Sequence, residues 1–337
     1  MSYWGATGLA GIARAVCGRR ATTMVHMRVI FAGTPDAAVP TLEALINSPH
    51  EVIAVITQPD ARGKRGKTLH PSPVKTAAEE HGIDVLTPVS AKDPEFIAQI
   101  EALEADVAAV VAYGQILTEE MLAATEHGWV NLHFSLLPQW RGAAPVQRAL
   151  MAGDEFTGAS TFLLEKGLDT GPVIGTLTER VRALDTSGDL LDRLAHAGAP
   201  LMVQSLEALV SGQATPQPQG EDGVSYAAKL SREDAYVVWD RPSHVVDRQI
   251  RGCTPAPGAW TTLPDGSVAK LSPVSPIVDG PRTVPGQIKE VDGRVLVGTG
   301  TDPVALSTIA PAGKKAMNAS DWWRGARLGD GAILGEA

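Results

Sequence analysis

The run Asp106-Val-Ala-Ala-Val-Val-Ala-Tyr113 decides the fold, because almost every residue in it is apolar. A strand of this composition is covered on both faces, as the central strands of parallel sheets are. Similar β-rich runs precede it at 28–32 and 51–57, and helical segments separate them, near 37–46 and 94–103. Strands that alternate with helices at this spacing predict an α/β fold with a doubly wound, mostly parallel sheet.

Helix-start signals support the same prediction. Ser72 before Pro73 is typical of an N-cap followed by proline at the first helical position. Thr186 and Asp189 have the spacing of a capping box, which predicts the start of a long helix that runs towards Val210.

The composition changes after that helix. Residues 212–223 are rich in Gly, Gln and Pro, which predicts a linker. Further on, Pro and Gly recur between short β-rich runs, and this texture predicts a small all-β domain such as a barrel. The runs lie at 235–239, 258–263, 267–271, 286–290 and 294–298. We therefore expect a catalytic domain over 27–206, a linker over 207–231 and a second domain over 232–335.

The first 26 residues do not fit this pattern. They contain Arg14, Arg19 and Arg20 but no Asp or Glu, and Met24 and Met27 stand just before the first predicted strand. An Arg-rich, acid-poor transit peptide is one interpretation. We favour the other, a non-native or over-extended start, because the fold pattern begins at Met27.

Composition excludes several functional classes. The 337 residues carry a formal net charge of −9, so a nucleic acid would have to meet a local basic patch. Cys17 and Cys253 form neither a disulfide framework nor a zinc motif, which predicts a metal-free protein of the reducing cytoplasm. No apolar run approaches the ~20 residues that span a bilayer, so no membrane partner is expected. The turn Gly33-Thr-Pro35 has one glycine where a nicotinamide site needs three, which argues against a dehydrogenase.

The strongest functional signal is Asn131-Leu-His133-Phe-Ser135, in which polar and apolar side chains alternate. On a strand, this pattern places an amide, an imidazole and a hydroxyl on one face. Val130, Leu132 and Phe134 then take the opposite face and are expected in the core. A polar face near the carboxyl end of a parallel sheet lies where such sheets bind ligands.

A carboxylate follows in Gly167-Leu-Asp169-Thr-Gly171. Together the three groups predict acyl transfer, because the Asn131 amide and a His133 imidazolium can both donate to an oxyanion. Asp169 would keep His133 charged and assist proton removal from an attacking amine. Two alternatives stay open on the residues alone: a structural histidine and a turn aspartate.

With its neighbours, this motif resembles the methionyl-tRNA formyltransferases, a branch of the 10-formyltetrahydrofolate-dependent formyltransferase family. The resemblance covers about residues 27–335. The Asn-x-His pair with a distant Asp is common to the larger family, and the Ser-Leu-Leu-Pro-x-Trp-Arg-Gly run and the Lys-rich C-terminal segment narrow it to the tRNA enzymes. The supporting segments are Phe31-Ala-Gly-Thr-Pro35, Gln58-Pro-Asp60, Gly66-Lys67, Pro71-Ser-Pro-Val-Lys75, Ala112-Tyr-Gly114, 131–145, 167–171 and Pro311-Ala-Gly-Lys-Lys315-Ala-Met317.

The resemblance implies a Rossmann-like domain followed by an OB-like barrel. It implies formyl transfer from 10-formyltetrahydrofolate to the α-amino group of methionyl initiator tRNA, which gives N-formylmethionyl-tRNA for translation initiation. Asn131, His133 and Asp169 would be the catalytic trio. The folate donor would be bound by Ser135, Leu136, Leu137, Pro138, Ala112, Tyr113, Gly114, Gln115, Ile116, Leu117, Gly167 and Leu168.

The resemblance also implies two regions of tRNA contact. The loop 60–69 is a flexible, basic insertion that would wedge into the acceptor end of the tRNA; on the residues alone, a solvated surface loop is the alternative. The second domain would add backbone contacts, which steepen salt dependence without reading sequence. The residues concerned are Arg62, Lys64, Arg65 and Lys67 in the loop, Lys229 near the end of the linker, and Arg232, Lys314 and Lys315 in the second domain.

Two other functions remain to be weighed. One is a formyltransferase for a small amine, glycinamide ribonucleotide or an amino sugar, and the basic loop and second domain argue against it. The other is a tRNA- or folate-binding protein with an inactive site, and the intact trio argues against that. Nothing in the sequence demands an oligomer, so we expect a monomer.

Overall fold

The structure is a computed structural model that describes residues 26–62, 68–329 and 331–335. Its first part contains the strands β1 (Arg28–Gly33), β2 (Glu51–Ile56), β3 (Ala61–Arg62), β4 (Leu69–His70), β5 (Val85–Leu86), β6 (Val107–Val111), β7 (Trp129–His133), β8 (Phe156–Leu163) and β9 (Val173–Arg180). The helices of this part are α1 (Val39–Ile46), α2 (Pro73–Glu80), α3 (Pro94–Glu101), α4 (Glu119–Leu122), α5 (Pro145–Ala152) and α6 (Ser187–Val210).

Seven of these strands form one sheet in the order β5-β2-β1-β6-β7-β8-β9. The first five in that order run parallel, and β8 and β9 extend the sheet through antiparallel pairs. The chain moves outward from β1 to β2 and β5, then returns to place β6 on the other side of β1. The predicted doubly wound, mostly parallel sheet is confirmed.

Helices cover both faces of the sheet, because neighbouring strand residues point into different cores. Phe31 of β1 packs in one core with Leu42 of α1 and Leu194 of α6. Its neighbour Ile30 packs in a second core with Phe96 of α3. Every residue of β6 is buried, as its apolar run predicts.

The predicted helix starts are also confirmed. The Ser72 hydroxyl accepts a hydrogen bond from the Lys75 backbone N–H at 3.0 Å, with Pro73 at the first position of α2. Thr186 and Asp189 make both bonds of a capping box at the start of α6.

The second part is β-rich, as the fold prediction states. It contains α7 (Ser243–Gly252), β10 (Trp260–Thr262), β11 (Val268–Leu271), β12 (Ser275–Pro276), β13 (Ile288–Val291), β14 (Arg294–Val297), β15 (Val304–Ala305), β16 (Thr308–Pro311), β17 (Met317–Asn318) and α8 (Ala319–Ala326). These strands form two four-stranded sheets, in the orders β10-β11-β16-β17 and β12-β15-β14-β13.

One predicted strand of this part is wrong. The run 235–239 forms no strand; within it, Tyr236 makes an isolated bridge to Trp260. Val237 and Trp239 are buried in the second core, so their apolar character reflects packing and not strand pairing. The helix α7 was not predicted, although Val246 and Ile250 are spaced for one buried face.

The two parts contact each other directly. Helix α5 packs against α7. Arg148 makes two hydrogen bonds to the Asp234 carboxylate, at 3.1 and 3.2 Å. The connecting segment also returns to the sheet, since Gln217 and Val173 exchange two backbone hydrogen bonds of 2.8 Å. In the described part of the chain, no helix is long and apolar enough to cross a membrane.

Candidate active site

A cavity of about 410 Å³ opens at the carboxyl ends of β6 and β7. The loop that follows β6, the end of β7 and the segment around Asp169 form its walls. Open α/β sheets bind ligands at this edge, next to the point where the strand order reverses. The fold therefore places a ligand-sized space where the sequence puts its polar motif.

Side chains just beyond the carboxyl ends of β1 and β2 hold the loop after β6 in place. The Thr34 hydroxyl donates to the Tyr113 carbonyl at 2.8 Å, and the Gln58 amide donates to the same carbonyl at 3.3 Å. Burial raises the pKa of the Tyr113 phenol to about 12. Two apolar side chains at the cavity, Ile116 and Leu168, are 79% and 57% exposed, so a flat apolar ligand could cover them. All predicted folate-binding residues of 112–117, with Gly167 and Leu168, line the cavity.

Asn131 presents its side chain to the cavity from β7, where it pairs with Val110 of β6. Within the described residues, its amide makes no hydrogen bond. The donor N–H groups of Asn131 are therefore available to a ligand oxygen.

His133, two residues further along β7, is only 6% exposed. Its Nε2 lies 2.9 Å from the Trp140 carbonyl oxygen, which can only accept, so Nε2 carries the hydrogen. In the neutral imidazole, Nδ1 is then the acceptor. Nδ1 lies 3.8 Å from Oδ2 of Asp169.

Burial decides the charge of this imidazole. Desolvation lowers the pKa of His133 and outweighs the Asp169 carboxylate and the hydrogen bond to Trp140, both of which raise it. His133 is therefore neutral at neutral pH. This differs from the expectation that Asp169 keeps the ring charged, because the strand pattern cannot show how deeply the ring is buried.

Asp169 is held from two sides. Its Oδ2 accepts a hydrogen bond of 2.7 Å from the Gly142 backbone N–H. Its own backbone carbonyl accepts one of 2.8 Å from the Gln219 side chain. The structure thus brings Asn131, His133 and Asp169 together at one cavity, while their roles in catalysis stay a prediction.

The predicted donor residues Ser135, Leu136, Leu137 and Pro138 lie outside the lining of this cavity. Strand β7 ends at His133, so the alternation stops before Ser135. Ser135 is fully buried, and its hydroxyl donates to the Gln139 carbonyl at 2.6 Å. The assignment of these four residues to the folate donor stays a prediction.

Those basic residues predicted to contact tRNA that the structure describes lie away from the cavity lining. Arg62, Lys229, Lys314 and Lys315 are exposed, and Arg232 lies over the Trp260 ring at 4.7 Å. The predicted contacts Lys64, Arg65 and Lys67 lie outside the described residues, as does the segment 1–25.

Comparison with known proteins identifies the family. The formyl transferase family matches residues 27–206, and the formyl transferase C-terminal domain matches residues 229–327. The methionyl-tRNA formyltransferase of Salinispora tropica is 56% identical over 308 residues, which are 91% of this chain and all of the relative. That of Thermobifida fusca is 54% identical over 310 residues, 92% of this chain and again all of the relative. The chain belongs to the methionyl-tRNA formyltransferase family.

As a member of the methionyl-tRNA formyltransferase family, it is a formyl-transferring enzyme. Solved structures share its fold at low identity. HypX from Aquifex aeolicus, in complex with tetrahydrofolic acid, has a TM-score of 0.65 at 17% identity over 91% of this chain and 48% of its own. The N-formyltransferase from Helicobacter canadensis, in complex with folinic acid and dTDP-3-aminofucose, has a TM-score of 0.61 at 16% identity over 83% of this chain and 99% of its own.

Sequence reasoning missed two residues that hold this candidate site. Gly142 supplies the N–H that Asp169 accepts, and its φ of 122° is a conformation that favours glycine. Gln219 bonds the Asp169 carbonyl from a segment read only as a linker. The Arg-Gly pair at 141–142 could have indicated Gly142, whereas no sequence signal indicated Gln219.

Proposed function

We propose that the protein transfers the formyl group of 10-formyltetrahydrofolate to the α-amino group of methionyl initiator tRNA in the cytoplasm. The product, N-formylmethionyl-tRNA, serves translation initiation. The observation that carries this proposal is the convergence of Asn131, His133 and Asp169 on one cavity in a chain 56% identical to a methionyl-tRNA formyltransferase.

The cavity suits a folate donor in size and chemistry. Its volume of about 410 Å³ lies within the range of small-molecule sites. Ile116 and Leu168 offer apolar surface to a flat ring, and the backbone of 112–117 offers N–H and C=O groups to its polar edge. Ser135, Leu136, Leu137 and Pro138 would contribute further contacts to the folate donor.

The three polar residues then divide the chemistry. The Asn131 amide donates to the formyl oxygen, where negative charge develops as the amine nitrogen bonds to the formyl carbon. Neutral His133 accepts the proton of that amine at Nδ1, and Asp169, 3.8 Å away, stabilises the imidazolium that results. The bond from the formyl carbon to N10 of the folate breaks, and the proton passes from His133 to N10. No protein group is consumed.

The acceptor is assigned to tRNA for two reasons. The C-terminal domain of the formyl transferases, matched over 229–327, holds the exposed Lys229, Lys314 and Lys315. Arg62 adds a positive charge in the β3–β4 pair, and the sequence between these two strands contains Lys64, Arg65 and Lys67, which lie outside the described residues. These cations would contact phosphates, which carry a large share of affinity for nucleic acids. The protein would act as a monomer.

One assay tests the proposal. The protein is incubated with 10-formyltetrahydrofolate and, in separate reactions, methionyl initiator tRNA, glycinamide ribonucleotide or a nucleotide-linked amino sugar. We expect formylation of methionyl-tRNA alone, and loss of product in a His133→Ala variant. Formylation of a small amine in preference, or of none of the acceptors, would contradict the proposal.

A further inference from the structure

We propose that Gln219 is a positioning residue of the active site, and this inference rests on the proposed function. Gln219 lies in the gap between the two segments that the family models match, 27–206 and 229–327. It also lies outside the cavity lining, so it would act through other residues. We call residues 219–227 the strap.

Both polar atoms of the Gln219 side-chain amide, Oε1 and Nε2, make hydrogen bonds. Its Oε1 accepts two hydrogen bonds from the Arg141 guanidinium, from Nε at 3.0 Å and from Nη2 at 2.7 Å. Its Nε2 donates to the carbonyls of Asp169 and Gly171, each at 2.8 Å. A glutamate here could still accept from Arg141 but could not donate to the two carbonyls, since an ionised carboxylate has no hydrogen.

Asp169 needs this support because of its backbone. Its φ is 53°, in the left-handed region that non-glycine residues adopt at a cost. The hydrogen bond from Gln219 to the Asp169 carbonyl fixes the peptide group between Asp169 and Thr170. The carboxylate of the same residue stands 3.8 Å from Nδ1 of His133, so a rotation of this backbone moves the charge that faces the imidazole.

The rest of the strap fixes Trp140, whose carbonyl is the second group that contacts the His133 imidazole. The Ser225 hydroxyl accepts from the Trp140 N–H at 2.9 Å, and Trp140 in turn provides the carbonyl that accepts from His133 Nε2. Ser225 and Ala227 also pair with the backbone of Arg141, through Arg141 N–H to Ser225 at 2.9 Å and Ala227 N–H to Arg141 at 2.7 Å. Both groups that orient the imidazole are thus tied to the strap.

The decisive variant is Gln219→Glu, with Gln217→Glu as its matched control. Gln219→Glu keeps the Arg141 contact, as a charged pair, so the fold is retained while the hold on Asp169 is lost. Gln217 is exposed and its side chain bonds only the Thr215 carbonyl, so its replacement adds the same charge nearby without touching the site. We expect kcat to fall about 100-fold in Gln219→Glu, the loss typical of misplaced catalytic groups. The melting temperature should fall only slightly, because the charged pair with Arg141 offsets part of the two lost hydrogen bonds. We expect wild-type kcat in Gln217→Glu.

A second variant, Gln219→Met, adds no charge near His133. When the Asp169 carboxylate is no longer fixed beside the ring, the pKa of His133 falls further, so the acid limb of kcat/KM moves to lower pH. A merely structural role would lower activity without moving that limb. The His133 titration can also be followed by NMR without substrate, in wild type and Gln219→Met.

These readouts separate the two proposals. If the wild type does not formylate methionyl-tRNA, the proposed function fails, and the NMR midpoint alone then decides the role of Gln219. Equal kcat in Gln219→Glu and Gln217→Glu, or the same His133 midpoint in Gln219→Met and wild type, would overturn the inference.

Discussion

At the residue scale, Asn131 is a donor without a partner in the described part of the chain, at the wall of the cavity. Replacement by Ala should lower kcat by about 10²–10³-fold, the effect of removing one donor to a developing oxyanion. The thermal unfolding midpoint should stay near that of the wild type, because no side-chain hydrogen bond between described residues is lost. Steady-state kinetics and calorimetry check both statements. A kcat close to the wild-type value would exclude Asn131 from the chemistry.

The neutral imidazole of His133 leads to a pH prediction. Its pKa is lowered by burial, below the ordinary value of about 6.5. The neutral form needed to accept a proton therefore persists into mild acid, and kcat/KM should fall only as pH drops through this lowered pKa. The unfolded chain binds the proton more readily, so stability should also decrease as pH falls below about 6.5.

An NMR titration of the His133 ring checks this, and the Asp169→Asn variant provides the comparison. The carboxylate raises the pKa of His133, so its removal should lower the midpoint further. A wild-type midpoint above the ordinary histidine value would contradict the neutral ring.

The sequence pattern predicted which residues lie at the site better than it predicted their geometry and charge. Asn131, His133 and Asp169 could be named because strand alternation and chemistry constrain them. Ser135 broke the pattern, since alternation holds only while the strand continues and β7 ends at His133. The neutral state of His133 depends on a carbonyl seven residues away and on burial by other elements, which no local pattern carries.

At the element scale, the loop after β7 can pass the strap only with glycine at position 142. A Cβ there would lie 2.8 Å from the Ala227 carbonyl oxygen, and φ is 122°. Gly142→Ala should cost about 1–3 kcal/mol of unfolding free energy and lower kcat, because the N–H that holds Asp169 must move.

Gly212→Ala is the control for this change. Gly212 also has a positive φ, of 68°, but an added Cβ would meet nothing within 4 Å. Denaturant unfolding of both variants separates the clash from the backbone preference. Equal losses in the two variants would argue against close packing at Gly142.

Elements were predictable where their signals are local. The caps at Ser72 and Thr186 fixed the starts of α2 and α6 from a few residues each. The run 235–239 was wrongly predicted as a strand, because Val237 and Trp239 are apolar to fill the second core. Its backbone pairs with β10 only through the isolated bridge between Tyr236 and Trp260. Helix α7 was not predicted, because the surrounding sequence is rich in Pro and Gly and favours strands. Packing against α5 stabilises this helix, and such a tertiary contact cannot be read from the local sequence.

At the scale of the whole molecule, a bidentate ion pair between Arg148 and Asp234 joins the two parts. The guanidinium nitrogens of Arg148 lie 3.1 and 3.2 Å from the carboxylate oxygens of Asp234. Asp234→Asn should lower the unfolding free energy by about 1 kcal/mol, the upper end for such pairs. Asp302→Asn, which disturbs the contact with the exposed Arg282, should have almost no effect. Parallel denaturation curves test the contrast, and equal curves would show that the joint adds no stability.

The protein is acidic overall, so binding of the proposed tRNA substrate depends on local groups of Lys and Arg side chains. Arg62→Ala should weaken binding and reduce the slope of log K against log salt by about 1, as expected for one lost phosphate contact. Arg180→Ala, at the exposed end of β9, should leave the slope unchanged. Filter binding over a salt series measures both. An unchanged slope for Arg62→Ala would remove that residue from the interface.

The strap has a consequence for how this enzyme can be divided or recombined. A chain cut after residue 206 would retain every residue that lines the cavity, yet it would lack the carbonyl, hydroxyl and amide groups that hold Trp140, Arg141 and Asp169. Exchange of C-terminal domains between relatives would therefore have to keep residues 219–227 with the N-terminal sheet. The segment between the two domains would then belong with the catalytic domain and not with the C-terminal one.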